Sequence, residues 1–358
     1  MSMGRLTKKR TGAFYLTNLL LTVVLFVVLY LLIDGKVLTG RYTTLITLVC
    51  VNVILAVSLN LVTGILGQLV LGHAGFMLVG AYASALFTKN VGMALPISFP
   101  ISLVLAGLLA ALFGVIIGIP ALRLRGDYLA IITLGFGEII RVLANADFLK
   151  PITNGAMGLG DIPTLYNRRT SPAGLFVYAF IIMVLVIVIN FSFGRSRHGR
   201  AVIAIREDEI AAEAMGINLA HHKRMAFIIS SFFAGISGAL LAMYQTTVQA
   251  NTFKSAMTYE ILLIVVIGGI GSISGSCIGS FLFIACSEWW LRFLDNETTI
   301  GAFKVPLLRT GFRMVVFSVV IMIVVLFFRR GIMGDREISL AGLAKRLTRR
   351  SVKGGKEA

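Results

Sequence analysis

At 358 residues, 57% of them hydrophobic and 14% charged, with a mean hydropathy of +0.91, the chain carries more apolar side chain than a water-soluble domain can hide. The net charge of +17 does not imply nucleic acid: Lys and Arg lie in short loops beside apolar runs, and no aromatic-interleaved basic domain is present. Apolar runs of about 20 residues, without the ten-residue alternation of a barrel, leave an all-α polytopic membrane protein, because backbone in lipid must bond within itself.

In chain order, residues 1–13 form a basic start with Arg5, Lys8, Lys9 and Arg10. The run 14–33 is too long for a signal h-region and has no small-residue cleavage site after it, so it reads as the first span. Span two covers 43–62 and carries Asn52, Ser58 and Asn60, polar residues suited to helix–helix contact. Residues 63–87 crowd Gly64, Gly67, Gly72, Gly75 and Gly80 around Gln68 and His73, which predicts a broken or very closely packed helix. Spans follow at 97–119, closed by Pro120, and at 128–145, containing Glu138 and Arg141. After a polar loop, 146–173, come span six at 174–193 and the one long charged stretch, 194–224. The remaining spans are 225–245, 255–270, 275–292 and 311–328, and a basic tail occupies 329–358. The division is thus a basic N-terminus (1–13), a membrane domain (14–328) with a cytoplasmic loop at 194–224, and a basic tail. The span count is ten, or eight to nine if 63–87 or 255–292 re-enter.

With the N-terminus inside, the inner segments hold 21 Lys and Arg against 10 in the outer ones, so both termini are expected to be cytoplasmic. Cys50, Cys277 and Cys286 all lie in apolar spans with no metal-ligand or disulfide spacing, and read as small hydrophobes. No metal site is expected.

There is no GxxxxGK-S/T phosphate loop, HExxH, CxxC or nucleophile elbow, so no catalytic residue is assigned and no cofactor is expected on this chain. Energy for active transport would come from an ion gradient or from another polypeptide. Glu138 is the candidate intramembrane carboxylate; Arg141 three residues on shares its face and can neutralise it, so the pair reads as structural, with a proton relay as the alternative. Glu260 and Glu288 fall near outer span ends, and Trp289-Trp290 mark an interface. His73 and Gln68 read as interhelical hydrogen-bonding groups, and His221-His222 beside Lys223-Arg224 as loop residues at the inner headgroup level.

Within 194–224, Asp208 can cap a helix, Glu209 suits its first turn, and Gly216 stops it. Ile210, Ala211, Ala214 and Met215 make one side, Glu209 and Glu213 the other. By physics alone this helix either docks a partner or rests on its own bundle or lipid.

GRAVIAIREDEIAAEAMGINLAHHKRMAFIISSFFAGISGALLA (199–242) resembles the cytoplasmic coupling segment and next span of ABC-importer permeases for branched-chain amino acids. SLNLVTGILGQLVLGHAGFMLVGAY (58–82), PALRLRGDYLAIITLGFGEIIRVL (120–143) and RRGIMG (329–334) agree, the second of these being typical of the LivM-type subunit. The resemblance implies a LivH-type permease partner, two ATP-binding subunits that supply ATP and Mg, and an extracytoplasmic substrate-binding protein, in a bacterial cytoplasmic membrane. It implies that Arg206, Glu207, Asp208, Glu209, Ala212, Glu213, Ala214 and Gly216 form the ATPase-coupling helix. The expected translocation path runs by Asn60, Gly64, Gly67, Gln68, Gly72, His73, Gly75, Gly135 and Glu138. Permeases for urea and short amides share the family, and a stand-alone ion-coupled carrier is the reading from another class.

Overall fold

A computed structural model describes residues 3–38, 40–124, 126–165, 173–291, 299–300, 303–304, 312–327, 331–334 and 337. Arg125, the outer-loop acids Asp295 and Glu297, the pair Arg329-Arg330 and the tail beyond Glu337 lie outside the described residues. The described chain is almost wholly helical, apart from a two-residue ladder of β1 (Thr299–Ile300) with β2 (Phe303–Lys304) and a single bridge of Leu159 to Val248.

Helix α1 is Met3–Asp34, and α2 (Gly40–Asn60) runs into a widened π turn, Leu61–Ile65. Then come α3 (His73–Asn90), α4 (Leu95–Ala121), α5 (Asp127–Asn145) and the short α6 (Lys150–Thr153). The middle of the chain holds α7 (Gly174–Arg195), α8 (Arg197–Glu207), α9 (Glu209–Ala214) and α10 (Leu219–Gln245). Last are α11 (Ser255–Gly268), α12 (Ile273–Ile284) with a π turn at Ala285–Trp290, and α13 (Phe312–Phe327). Most bounds lie within a few residues of the expected spans, because long uncharged apolar runs have few other ways to satisfy their backbone in lipid. Among the described residues four helices are individually long and apolar enough to cross a membrane, and six segments are if each bent pair counts once.

Helix α10 is the axis of the packing. Its small residues let neighbouring backbones approach, as expected where lipid supplies no hydrophobic force between helices. A β-carbon on Gly80 would overlap the backbone of Gly235, one on Gly238 that of Met77, and one on Gly235 would press on Ala106 and Ala110 of α4. Hydroxyls bond across neighbouring seams: Ser230 Oγ of α10 donates to Ser58 O of α2 (2.6 Å), and Ser84 Oγ of α3 and Ser102 Oγ of α4 are 2.9 Å apart. On α4 the exposed stripe Ile97, Ile101, Val104, Leu108, Leu112, Ile116 has helical spacing and is wholly apolar. In water such a stripe would face the core, whereas here it faces outward, as a lipid solvent requires.

Three expected spans, 63–87, 255–270 and 275–292, are shaped differently. After Ile65 the backbone leaves the helix, turns back, and begins α3 only at His73, beside Ser58 and so partway along the bundle rather than at its end. Backbone groups freed by this break are met by hydroxyls: Leu71 N donates to Thr133 Oγ1 (3.1 Å) and Ala74 N to Thr258 Oγ1 (3.0 Å). Of the stretch 255–292, Ser255–Gly268 and Ile273–Trp290 form a helical hairpin, its arms bent by 118° about a turn with Gly269 at φ +120° and Gly271 at φ +89°. The 14 residues of α11 rise about 21 Å, short of a hydrocarbon core of about 30 Å. A strap from the C-terminal region closes the turn. Ile332 N donates to Ile267 O (2.8 Å), Met333 N to Gly268 O (3.1 Å), and the Glu337 carboxylate accepts from Ile273 N (2.5 Å) and Ser274 N (3.0 Å).

Candidate functional site

The charged stretch folds as two short helices: α9 starts at Asp208 and stops at Gly216 as expected, while Arg206 and Glu207 of the expected 206–216 element belong to α8. The Ser196 hydroxyl caps α8 by accepting from Gly199 N (3.0 Å), and Val202 and Ile205 bury its inner face. Arg206 and Glu207 belong to the last turn of α8 and pair with each other at 2.7 Å. At Asp208 the backbone becomes extended (φ −157°), ending α8, and the Asp208 carboxylate starts α9 by accepting from Ile210 N (2.8 Å) and Ala211 N (3.1 Å). Gly216, at φ +80°, ends it: Gly216 N bonds Glu213 O and Ile217 N bonds Ala212 O, a Schellman closure.

The two faces of α9 differ sharply. Ala212 is buried against the bundle, while Ile210 is 73% and Met215 83% exposed, with Ala211, Glu213 and Ala214 exposed beside them. Glu209 turns inward to Lys223, Nζ to Oε1 2.5 Å, with the lysine side chain only 4% exposed. This corrects the reading of His221-His222, beside Lys223-Arg224, as loop residues. They form the first turns of α10, begun where the Asn218 side chain accepts from His221 N (3.0 Å), and Lys223 ties α9 to that helix.

Arg206 carries the arrangement into the bundle. Its Nη1 donates to Gly64 O (3.0 Å), in the π turn that precedes the helix break. Gly67, at φ +76°, leaves room for its aliphatic stem, since a β-carbon there would lie 2.5 Å from Arg206 Cγ. The same guanidinium adjoins Gly271 in the α11–α12 turn, where a β-carbon would lie 3.3 Å from Nη1. Asn60 locks these two turns together. Its Oδ1 accepts from Gly271 N (2.8 Å), and its Nδ2 donates to Ser272 O (2.9 Å) and Ser276 Oγ (3.0 Å). One guanidinium and one carboxamide therefore join α8, the helix break and the hairpin turn.

The other expected path residues are distributed along the bundle. Gly72 packs on the Thr133 backbone, Gly75 on Gly137, and His73 Nε2 meets Ser58 Oγ at 2.9 Å in full burial. Gln68 Oε1 is buried and has no hydrogen-bond partner among the described residues. Gly135 has open space where a side chain would be. Glu138 sits at the opposite end from α8 and α9. Its carboxylate accepts from Arg141 Nε (2.7 Å) and Ser255 Oγ (2.7 Å), and Arg141 Nη1 also donates to Asn251 Oδ1 (3.2 Å). The space between Gly75, Glu138 and Thr258 is about 10 Å³, water-sized at most. Sequence reasoning missed Lys223, Gly271, Ser272 and Glu337. The only signal for the middle two was the recurrence of close-set glycines at 268–279.

The family described as "branched-chain amino acid transport system / permease component" matches residues 41–327. The high-affinity branched-chain amino acid transport system permease protein LivM of Escherichia coli is 37% identical over 268 residues, covering 68% of this chain and 62% of the relative. The permease protein LivH of the corresponding system in Salmonella typhimurium is 26% identical over 315 residues, covering 82% of this chain and 94% of the relative. A probable LivM of Methanocaldococcus jannaschii is 23% identical over 238 residues, 65% of this chain and 68% of the relative. The chain thus spans less than two thirds of the length of the Escherichia coli relative. No solved structure matches it.

Proposed function

Because the chain belongs to the family of branched-chain amino acid transport permease components, we propose that it is the LivM-type membrane subunit of an ABC importer for branched-chain amino acids. In this reading the chain is not an enzyme. ATP and Mg bind in two partner subunits, a LivH-type permease completes the membrane part, and an extracytoplasmic protein delivers substrate. The membrane is the bacterial cytoplasmic one, with ten helical segments, both termini inside, and the α11–α12 hairpin entering from the opposite face with its turn reaching the side that carries α8 and α9. The excess of Lys and Arg on that side supports the orientation.

The observation that carries the proposal is the exposed apolar face of α9, continuous through α8 and Arg206 with the break at Gly64–Gly67 and the turn at Gly271. A partner that moves α9 would move both turns, whereas a helix that merely rested on its bundle would have Ile210 and Met215 covered. Residues from Arg206 to Gly216 would form the docking element. The path would follow the break (64–75) and α5 (Gly135, Glu138) at the seam with the second permease.

The test is reconstitution of the complete complex in vesicles, with leucine uptake measured with and without internal ATP. Uptake should require ATP and the ATPase subunits and should be lost when Glu213 or Gly216 is replaced. Leucine flux through this chain alone, with or without an ion gradient, would reject the proposal in favour of a carrier or channel.

A further inference from the structure

A cavity of about 250 Å³ lies away from the helix break, walled by α2, α10, α11 and the end of α12. Helix α11 divides the two regions. Its Ser255 and Thr258 face the break and α5, whereas Met257 and Glu260 line the cavity. The cavity is polarised along its depth. Its floor is the buried side chains of Val51, Leu55 and Leu241, and its mouth holds the exposed Glu260 and Gln245 with the half-buried Glu288. At 250 Å³ it falls below the roughly 300–1,000 Å³ of sites for drug-sized ligands, so its occupant is small. No Lys or Arg is among its lining residues.

We infer that this cavity is a substrate subsite within this chain, taking a branched-chain L-amino acid with its aliphatic side chain on the Val51–Leu55–Leu241 floor and its ammonium group at the carboxylate of Glu260. The inference rests on the functional reading above for the identity of the amino acid. Its physical basis is independent of that reading: a small amphiphile with an aliphatic end and a cationic end matches an apolar floor under an anionic mouth. Against Val51, Leu55 and Leu241 a polar side chain would lose its water without replacement; the lining also holds Asn52, whose Nδ2 is already bonded to Leu48 O (3.0 Å), and Ser287. Arg41, whose Nη2 donates to Glu288 O (3.4 Å), lies beside the mouth and is the cation offered to the ligand's carboxylate among the described residues. The hairpin that forms one wall is gripped at its far end by Asn60 and Arg206, so movement of α8 would reach the subsite through α11.

The experiment uses the assembled complex without ATP. Gln245→Cys places a thiol at the mouth, and its labelling by a maleimide is followed by mass spectrometry. Leucine should slow labelling at least about fivefold, and 4-methylpentanoate, which keeps the branched chain and lacks the ammonium group, should not. Glu260→Gln should weaken the leucine effect by about tenfold in concentration, the scale of one lost charged hydrogen bond. Leu55→Trp, which fills the floor, should abolish protection by leucine while alanine still protects. Equal protection by leucine and 4-methylpentanoate, or none by either, overturns the subsite even if ATP-driven leucine uptake is intact. Protection by leucine without any uptake would instead keep the subsite and overturn the functional reading.

Discussion

Replacing Lys223 by Met should release α9 from the bundle while leaving the bundle itself folded. The lysine side chain is 4% exposed and its partner Glu209 27% exposed, with Nζ and Oε1 2.5 Å apart. Breaking a fully buried pair by removing one member costs about 3–5 kcal/mol, because the remaining charge keeps its desolvation penalty. Glu209 retains access to water, which reduces the cost to about 2 kcal/mol, between the buried and exposed limits. That corresponds to roughly a thirtyfold change in the local opening equilibrium. Hydrogen exchange reads it directly, because Ala212, Met215 and Ile217 all donate backbone bonds within or closing α9. These amides should exchange roughly thirtyfold faster in Lys223→Met, with α3 and α4 unchanged. The pair Glu209→Gln and Lys223→Met, combined in a double-mutant cycle, should show coupling of about 1–2 kcal/mol. Exchange at 212–217 within threefold of the parent, or coupling below about 0.3 kcal/mol, would refute the claim that this ion pair holds α9 in place.

Other outcomes follow from the same geometry. Asp208→Ala removes the cap of α9 and should cost it about 1 kcal/mol, giving a smaller acceleration of the same amides than Lys223→Met. Gly67→Ala places a side chain at φ +76° against the Arg206 stem, so uptake per ATP hydrolysed should fall several-fold in vesicles while ATPase assembly persists; an unchanged ratio would separate Arg206 from coupling. Gly80→Ala overlaps the Gly235 backbone, whereas Gly92 has nothing within 4 Å; the first should lower the thermal midpoint of the purified complex by an overpacking cost of roughly 2–3 kcal/mol, and Gly92→Ala should not. Glu138→Gln should retain uptake within twofold at any external pH, since Arg141 and Ser255 hold that carboxylate in a structural pair; a strict loss of uptake would favour ion coupling.

The sequence is legible where one property alone decides the structure. The apolar run 174–193 had to be a helix, and α7 is one. Asp208 and Gly216 marked the ends of α9 because capping chemistry is local. Lys223 was passed over because its burial depends on Glu209, fourteen residues back on a different helix. The glycines at 64–80 signalled an irregularity without its form: whether they pack helices or break one depends on hydroxyls from Thr133 and Thr258 that meet the freed amides. Asn60 was marked as a polar contact, but its partners Gly271 and Ser276 lie more than 200 residues away. The 250 Å³ cavity draws its walls from four helices, so no window of sequence contains it.

The strap at 331–337 bears on how the molecule is made. Ile332, Met333 and Glu337 supply the partners for carbonyls at 267–268 and amides at 273–274, and all three are translated some sixty residues after the turn they complete. Until then the nascent hairpin holds its tip open, with polar backbone that lipid cannot solvate. Biogenesis therefore finishes from the trailing end of the chain. A chain cut before Ile332 would carry the hairpin without the partners that seal its turn.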